Sequence, residues 1–144
     1  MKPTSLTNFM INDHAIMHGL FKAIEKNIER NSKSLMKAID EFEWKVKKHY
    51  FVEEKAIFTA YEPKNTSDGY SMVPKIIKQH DEILKELKIF KTSIKKKKAF
   101  DFEKFREMLI NHKNFEEANL YPKLEEELPE SEKKLIIERI NQIL

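Results

Sequence analysis

The chain has 144 residues, of which 40% are hydrophobic and 35% charged, with a formal net charge of +3. That is the length of one ordinary domain, with apolar content enough for a core, so disorder is excluded and no covalent staples are needed. There is no cysteine, which excludes disulfides, thiolate zinc sites and iron–sulfur clusters held by the chain's own thiolates.

Only 2 Gly and 5 Pro interrupt the sequence, a composition that favours long helices. The first helix is expected from about Leu6 to about Arg30, with Thr4 or Ser5 as its cap. Met10, Ile11, Met17, Phe21, Ile24 and Ile28 recur there at helical spacing. The second is expected from near Ser34 to near Ala60. Its inner stripe reads Leu35, Ile39, Phe42, Val46, His49, Glu53 and Ile57, in steps of four and three that mark a bundle seam.

A turn-forming stretch from Tyr61 to Gly69 follows. The third helix is expected to begin near Ser71, with Pro74 tolerated in its first turn, and to end between Ser93 and Lys98. Ile76, Ile77, His80, Ile83, Leu84, Leu87 and Phe90 form its stripe. Asp101 caps a fourth helix with the stripe Phe102, Phe105, Leu109, His112, Glu116 and Leu120. Tyr121-Pro122 is expected to end it, and a last amphipathic helix runs from about Pro129 to the C-terminus. The whole, residues 1–144, reads as a single all-α domain: an up-down-up-down four-helix bundle with a short C-terminal helix.

Each long helix carries His on an otherwise apolar stripe: His14, His49, His80 and His112. Two add Glu one turn later, in His49/Glu53 and His112/Glu116, and residues four apart share a helix face. A buried carboxylate without a partner costs several kcal/mol or so. Coordination of cations removes that cost, and imidazole with carboxylate suits first-row metals.

The spacing supports one common layer. His14 lies about 16 residues before the expected end of its helix and His49 about 15 after the start of the next, roughly 24 and 22 Å at the helical rise. Glu53 with His80, and His80 with His112, agree in the same way to about one helical turn.

The full pattern is Asn12-Asp13-His14, His49-x-x-x-Glu53-Glu54, Gln79-His80-Asp81-Glu82 and His112-x-x-x-Glu116-Glu117, followed by Leu120-Tyr121-Pro122. From about Met10 to about Glu127 it resembles the hemerythrin-like (HHE cation-binding) domain family. The resemblance implies two iron ions in an oxo- or hydroxo-bridged centre. Glu53 and Glu116 would bridge the metals, His14 and His49 would hold one, and His80 and His112 the other. Manganese or zinc would suit the same ligand types. The oxygen carriers of the family have one more His, four residues from the third-helix ligand. Here those positions are Ile76 and Leu84, so the metal between His80 and His112 is expected to be under-coordinated.

His18, one turn after His14, fits an extra ligand, a supporting group or a core-edge imidazole. Glu54 and Glu117 point about 100° away from the ligands and read as solvated or supporting groups. Tyr50 and Tyr121 read as packing residues ahead of site-lining ones. Lys95–Lys98 reads as a solvated loop, and the Met and Phe stripes as core.

The first functional reading is reversible binding of dioxygen, nitric oxide or peroxide at the under-coordinated iron. The alternative is an enzyme, peroxidase-like or nitric oxide-reducing. Iron donation for iron–sulfur cluster repair and a metal-free structural bundle complete the set. Binding is preferred because the motif specifies a metal site but no substrate pocket, base or nucleophile. The expected partner is a small diatomic gas or peroxide, with an electron-donor protein as a second candidate.

The interleaved charges argue against nucleic acid. No apolar run approaches the roughly 20 residues that span a membrane. Met1–Leu6 lacks the apolar core of a signal peptide, so the expected location is cytoplasmic.

Overall fold

Helix α1 (Leu6–Asn27) starts where the Ser5 side chain accepts a hydrogen bond from the Asn8 amide at 3.0 Å. The computed structural model describes residues 5–29, 32–61 and 71–143. Thr4, Arg30 and the expected turn from Glu62 to Gly69 lie outside them. The last helical residue of α1 is Asn27, earlier than expected, and its side-chain amide donates to the Ala23 carbonyl at 2.7 Å.

Helix α2 (Ser32–Val52) runs without a break through a π-helical turn (Glu53–Phe58) into α3 (Thr59–Tyr61). Helix α4 (Val73–Lys95) carries Pro74 in its first turn, where the missing N–H costs nothing. It ends in the lysine run. Lys97 adopts φ 55° and Lys95–Lys98 are exposed, as a solvated loop requires.

Asp101 accepts from the Lys104 amide at 3.0 Å and caps α5 (Phe102–Phe115). A second π-helical turn (Glu116–Leu120) leads into α6 (Tyr121–Glu127), and α7 (Glu130–Ile143) follows. Among the described residues there is no strand, and no helix is long and apolar enough to cross a membrane.

The expected helix end at Tyr121-Pro122 is corrected: the chain stays helical to Glu127. Proline breaks an α-helix because it lacks an N–H and its ring meets the carbonyl four residues back. The π turn just before it shifts the hydrogen-bond register, with the Tyr121 amide donating to the Glu116 carbonyl. Pro122 then falls in the first turn of a new α-helical segment, where it fits.

The core is two apolar clusters. One contains Leu6 and Met10 of α1, Ile57 and Tyr61, Val73 and Ile76 of α4, and Leu120 and Leu124. The other contains Phe21 and Ile24, Leu35 to Val46 of α2, Ile83 to Phe90 of α4, and Phe105 of α5. On every long helix, the polar residues of the inner stripe fall between the stretch that feeds one cluster and the stretch that feeds the other.

Helix α7 covers the first cluster with Ile136 and Ile140. Lys133 ties it down, donating to the Glu125 carbonyl at 2.8 Å and the Glu125 carboxylate at 3.0 Å. Glu125 also accepts from the Thr7 amide at 3.1 Å, so α1, α6 and α7 meet at one carboxylate.

Ile140 is fully buried. Ile140→Ala should lower unfolding stability by about 2–5 kcal/mol in urea titration, whereas Lys134→Ala on the exposed face should change it by less than about 0.5 kcal/mol.

Candidate metal centre

All six expected ligands are buried and converge between the two apolar clusters. Their donor atoms form two groups: His14, His49, Glu53 and Glu116, and Glu53, His80, His112 and Glu116, with atoms in each group within 4.8 Å of one another. Both glutamates belong to both groups. His14 Nε2 lies 3.2 Å from Glu116 Oε1 and His49 Nε2 3.6 Å from Glu53 Oε2. On the other side, His80 Nε2 is 2.9 Å from Glu53 Oε1 and His112 Nε2 is 3.2 Å from Glu116 Oε1.

The backs of the imidazoles are held by the neighbouring helices. His14 Nδ1 donates to Glu117 Oε2 at 2.7 Å, and His49 Nδ1 to Asp13 Oδ2 at 2.6 Å. His80 Nδ1 donates to Glu54 Oε2 and His112 Nδ1 to Gln79 Oε1, each at 2.7 Å. An ionised carboxylate and an amide oxygen only accept, so each Nδ1 carries a proton and Nε2 is the nitrogen of each ring that faces inward, a lone pair wherever the ring is neutral.

The four bonds form a closed ring: α1 supports the His of α2, the π turn after α2 supports α4, α4 supports α5, and the π turn after α5 supports α1. This arrangement orients imidazoles for a metal. Asp13 is itself held by Lys45, which forms a close ion pair with it.

Facing the centre, His49 Nε2, His80 Nε2, His112 Nε2, Glu53 Oε1 and Glu116 Oε2 are buried and find no hydrogen-bond partner among the described residues. Buried polar atoms are normally satisfied. Nitrogen lone pairs and carboxylate oxygens left unpaired around common points are the donor set that divalent first-row cations take. The residues therefore fit metal ions.

The local field agrees. Burial alone would depress the His49 imidazole, but the Glu53 charge and the Asp13 hydrogen bond outweigh it and hold the pKa at about 9. For His80 the same opposition, with Glu116 and Glu53 as partners, ends at about 10. Burial acts to raise Glu116, yet the imidazoles of His112, His14 and His80 beside it bring it well below the ordinary carboxylate range.

Glu54 and Glu117 take the supporting role rather than the solvated one. Asp13 and Gln79 were missed as supports; their signal is that each immediately precedes a ligand, His14 and His80. The two tyrosines line the centre instead of only packing. Tyr50 stacks on His80 with ring centroids 3.8 Å apart, while the Tyr121 hydroxyl donates to Glu53 Oε2 at 2.7 Å.

His18 is exposed and outside both ligand groups. It lines a cavity of about 320 Å³ whose walls include Met17, Phe42, Tyr50 and Leu109, and which reaches His14 and His112.

The family model described as the hemerythrin HHE cation-binding domain matches residues 5–124. The chain belongs to the hemerythrin HHE cation-binding domain family. Comparison with curated proteins and with solved structures found no match. Family membership and the two buried His/Glu groups together make this a cation-binding hemerythrin-like chain.

A metal needs the Nε2 lone pairs that protons occupy in the metal-free chain, since His49 and His80 titrate at about 9 and 10. Loading Fe(II) or Zn(II) at neutral pH should therefore release protons, and affinity should strengthen as pH rises towards those values. Calorimetry in buffers of different ionisation heat reads this directly. Asp13→Ala, which frees the back of His49, should weaken metal binding about 10–100-fold in a competition titration with a chelator.

Proposed function

We propose that this hemerythrin-like chain holds two iron ions and binds dioxygen, or a related small molecule such as nitric oxide or peroxide, at an under-coordinated iron. The reading takes Glu53 and Glu116 as bridging ligands, His14 and His49 as ligands to one iron, and His80 and His112 as ligands to the other. The observation that carries it is the sharing of both glutamates between the two four-residue groups. Manganese or zinc would use the same donors.

Residues 1–144 are taken as one domain, and the four long helices as an up-down-up-down bundle. The order in which each helix contributes to the two apolar clusters supports that topology. A reduced iron pair supplies electrons to a bound oxidant or a site for a neutral gas. The chain's own residues hold the imidazoles by their Nδ1 atoms, keep water away with the two flanking clusters, and leave a route in. The cavity beside exposed His18 reaches His14, His112 and Tyr50 and suits entry of a small molecule.

Ile76 is fully buried in apolar surroundings, so the position four residues before His80 contributes no ligand. That supports an open coordination position at the His80/His112 iron. It is also why turnover, peroxidase-like or nitric oxide-reducing, stands as the second reading: an open iron with a supplied reductant can release product.

Metal analysis of protein purified without added iron should give two irons per chain, and Glu53→Ala should lose both. The reduced protein should give an absorption spectrum with dioxygen that reverses on deoxygenation. Rapid, irreversible oxidation would remove the carrier reading, and sustained turnover with reductant and peroxide or nitric oxide would establish the enzymatic one.

A further inference from the structure

The centre is built from two like halves. His49, Glu53 and Glu54 are matched by His112, Glu116 and Glu117; His14 is matched by His80, and Asp13 by Gln79. Each shared glutamate opens a π turn, and each turn delivers an aromatic residue five positions on, Phe58 and Tyr121. Those two rings take equivalent places. Phe58 lies over His80 with centroids 6.4 Å apart, and Tyr121 over His14 at 5.6 Å. The halves differ in that Tyr121 brings an oxygen to its side and Phe58 brings none.

That oxygen sits among donor atoms. Tyr121 Oη is 2.7 Å from Glu53 Oε2, 3.2 Å from His14 Nε2 and 3.3 Å from Glu116 Oε1. All three partners present lone pairs, His14 because its Nδ1 is engaged by Glu117. One hydroxyl proton satisfies one of them. Donors bound at about 2.0–2.2 Å to one first-row ion lie roughly 2.8–3.5 Å apart, the range spanned by two of these contacts and nearly reached by the third.

We propose that Tyr121 is a seventh protein ligand, bound through its phenolate oxygen to the metal held by His14 and His49. On ligation the O–H bond breaks, the oxygen pair goes to the metal and the proton leaves to solvent; no electron is transferred. Phe58 provides no counterpart at the His80/His112 metal. The inference rests on the di-iron reading and deepens it: the two metals differ in ligand number because the residue five past one shared glutamate is Tyr and the residue five past the other is Phe.

The test is resonance Raman and visible absorption of the ferric, iron-loaded full chain. Wild type and Tyr50→Phe should show a phenolate-to-iron charge-transfer band with tyrosinate modes, and Tyr121→Phe should lose the band completely at equal iron content. Ring-deuterated tyrosine in the wild-type chain should shift those modes, a readout that needs no variant to fold. Two irons per chain without the band, or a band that survives in Tyr121→Phe, overturns the ligand assignment alone. A wild type that takes up no iron overturns the di-iron reading and this inference with it.

Discussion

Two carboxylates, Glu53 and Glu116, stand with no solvent exposure at the middle of a helical core, and the organisation around them follows from that placement. Charge buried at such depth is tolerated only when paired or coordinated. Four imidazoles face the pair, and four hydrogen bonds from neighbouring helices fix which nitrogen of each ring looks inward. The apolar clusters on either side make the layer dry, which strengthens every electrostatic contact within it. In the metal-free chain His49 and His80 compensate by holding protons, their pKa values being raised to about 9 and about 10. Cation binding replaces that compensation with a stronger one.

The π turns solve a problem of aim. Both begin at a shared glutamate, Glu53 or Glu116. An extra residue in the turn re-points a side chain without breaking the helix, which is why such turns gather at functional sites. Here the same device lets Pro122 be accommodated and brings the fifth residue back over the first. In a plain α-helix that fifth residue would lie about 140° away. Tyr121 thereby reaches the carboxylates that its sequence distance would otherwise deny it.

Near-symmetry of the donors does not make the two His/Glu groups alike. The backs of three imidazoles rest on carboxylates, and that of His112 on the neutral Gln79 amide. A carboxylate raises the basicity of its imidazole more than an amide does. With Tyr121 on the His14 side and Phe58 on the His80 side, both differences leave the His80/His112 group with fewer electron-rich oxygen neighbours. That is also the side on which the position one turn before His80 is apolar, Ile76 being fully buried.

The six converging His and Glu positions were legible from periodicity alone, because an α-helix returns to the same face every three or four residues and each of them interrupts an apolar stripe. Ser5 and Asp101 as caps, Pro74 in a first turn and the lysine loop followed from local chemistry that acts within one turn. The supporting role of Asp13 and Gln79 was not legible, because they hold histidines on other helices and their one local signal, a place immediately before His14 or His80, does not say what they contact. Nor was Tyr121: α-helical spacing puts it off the seam, and only the π turn, whose geometry comes from the packed site and not from propensity, returns it. The sequence thus determined which residues enter the centre along each helix. The tertiary structure decided which nitrogen each imidazole turns inward, what holds it there, and that the Tyr121 oxygen stands among the donor atoms, since those depend on contacts between helices.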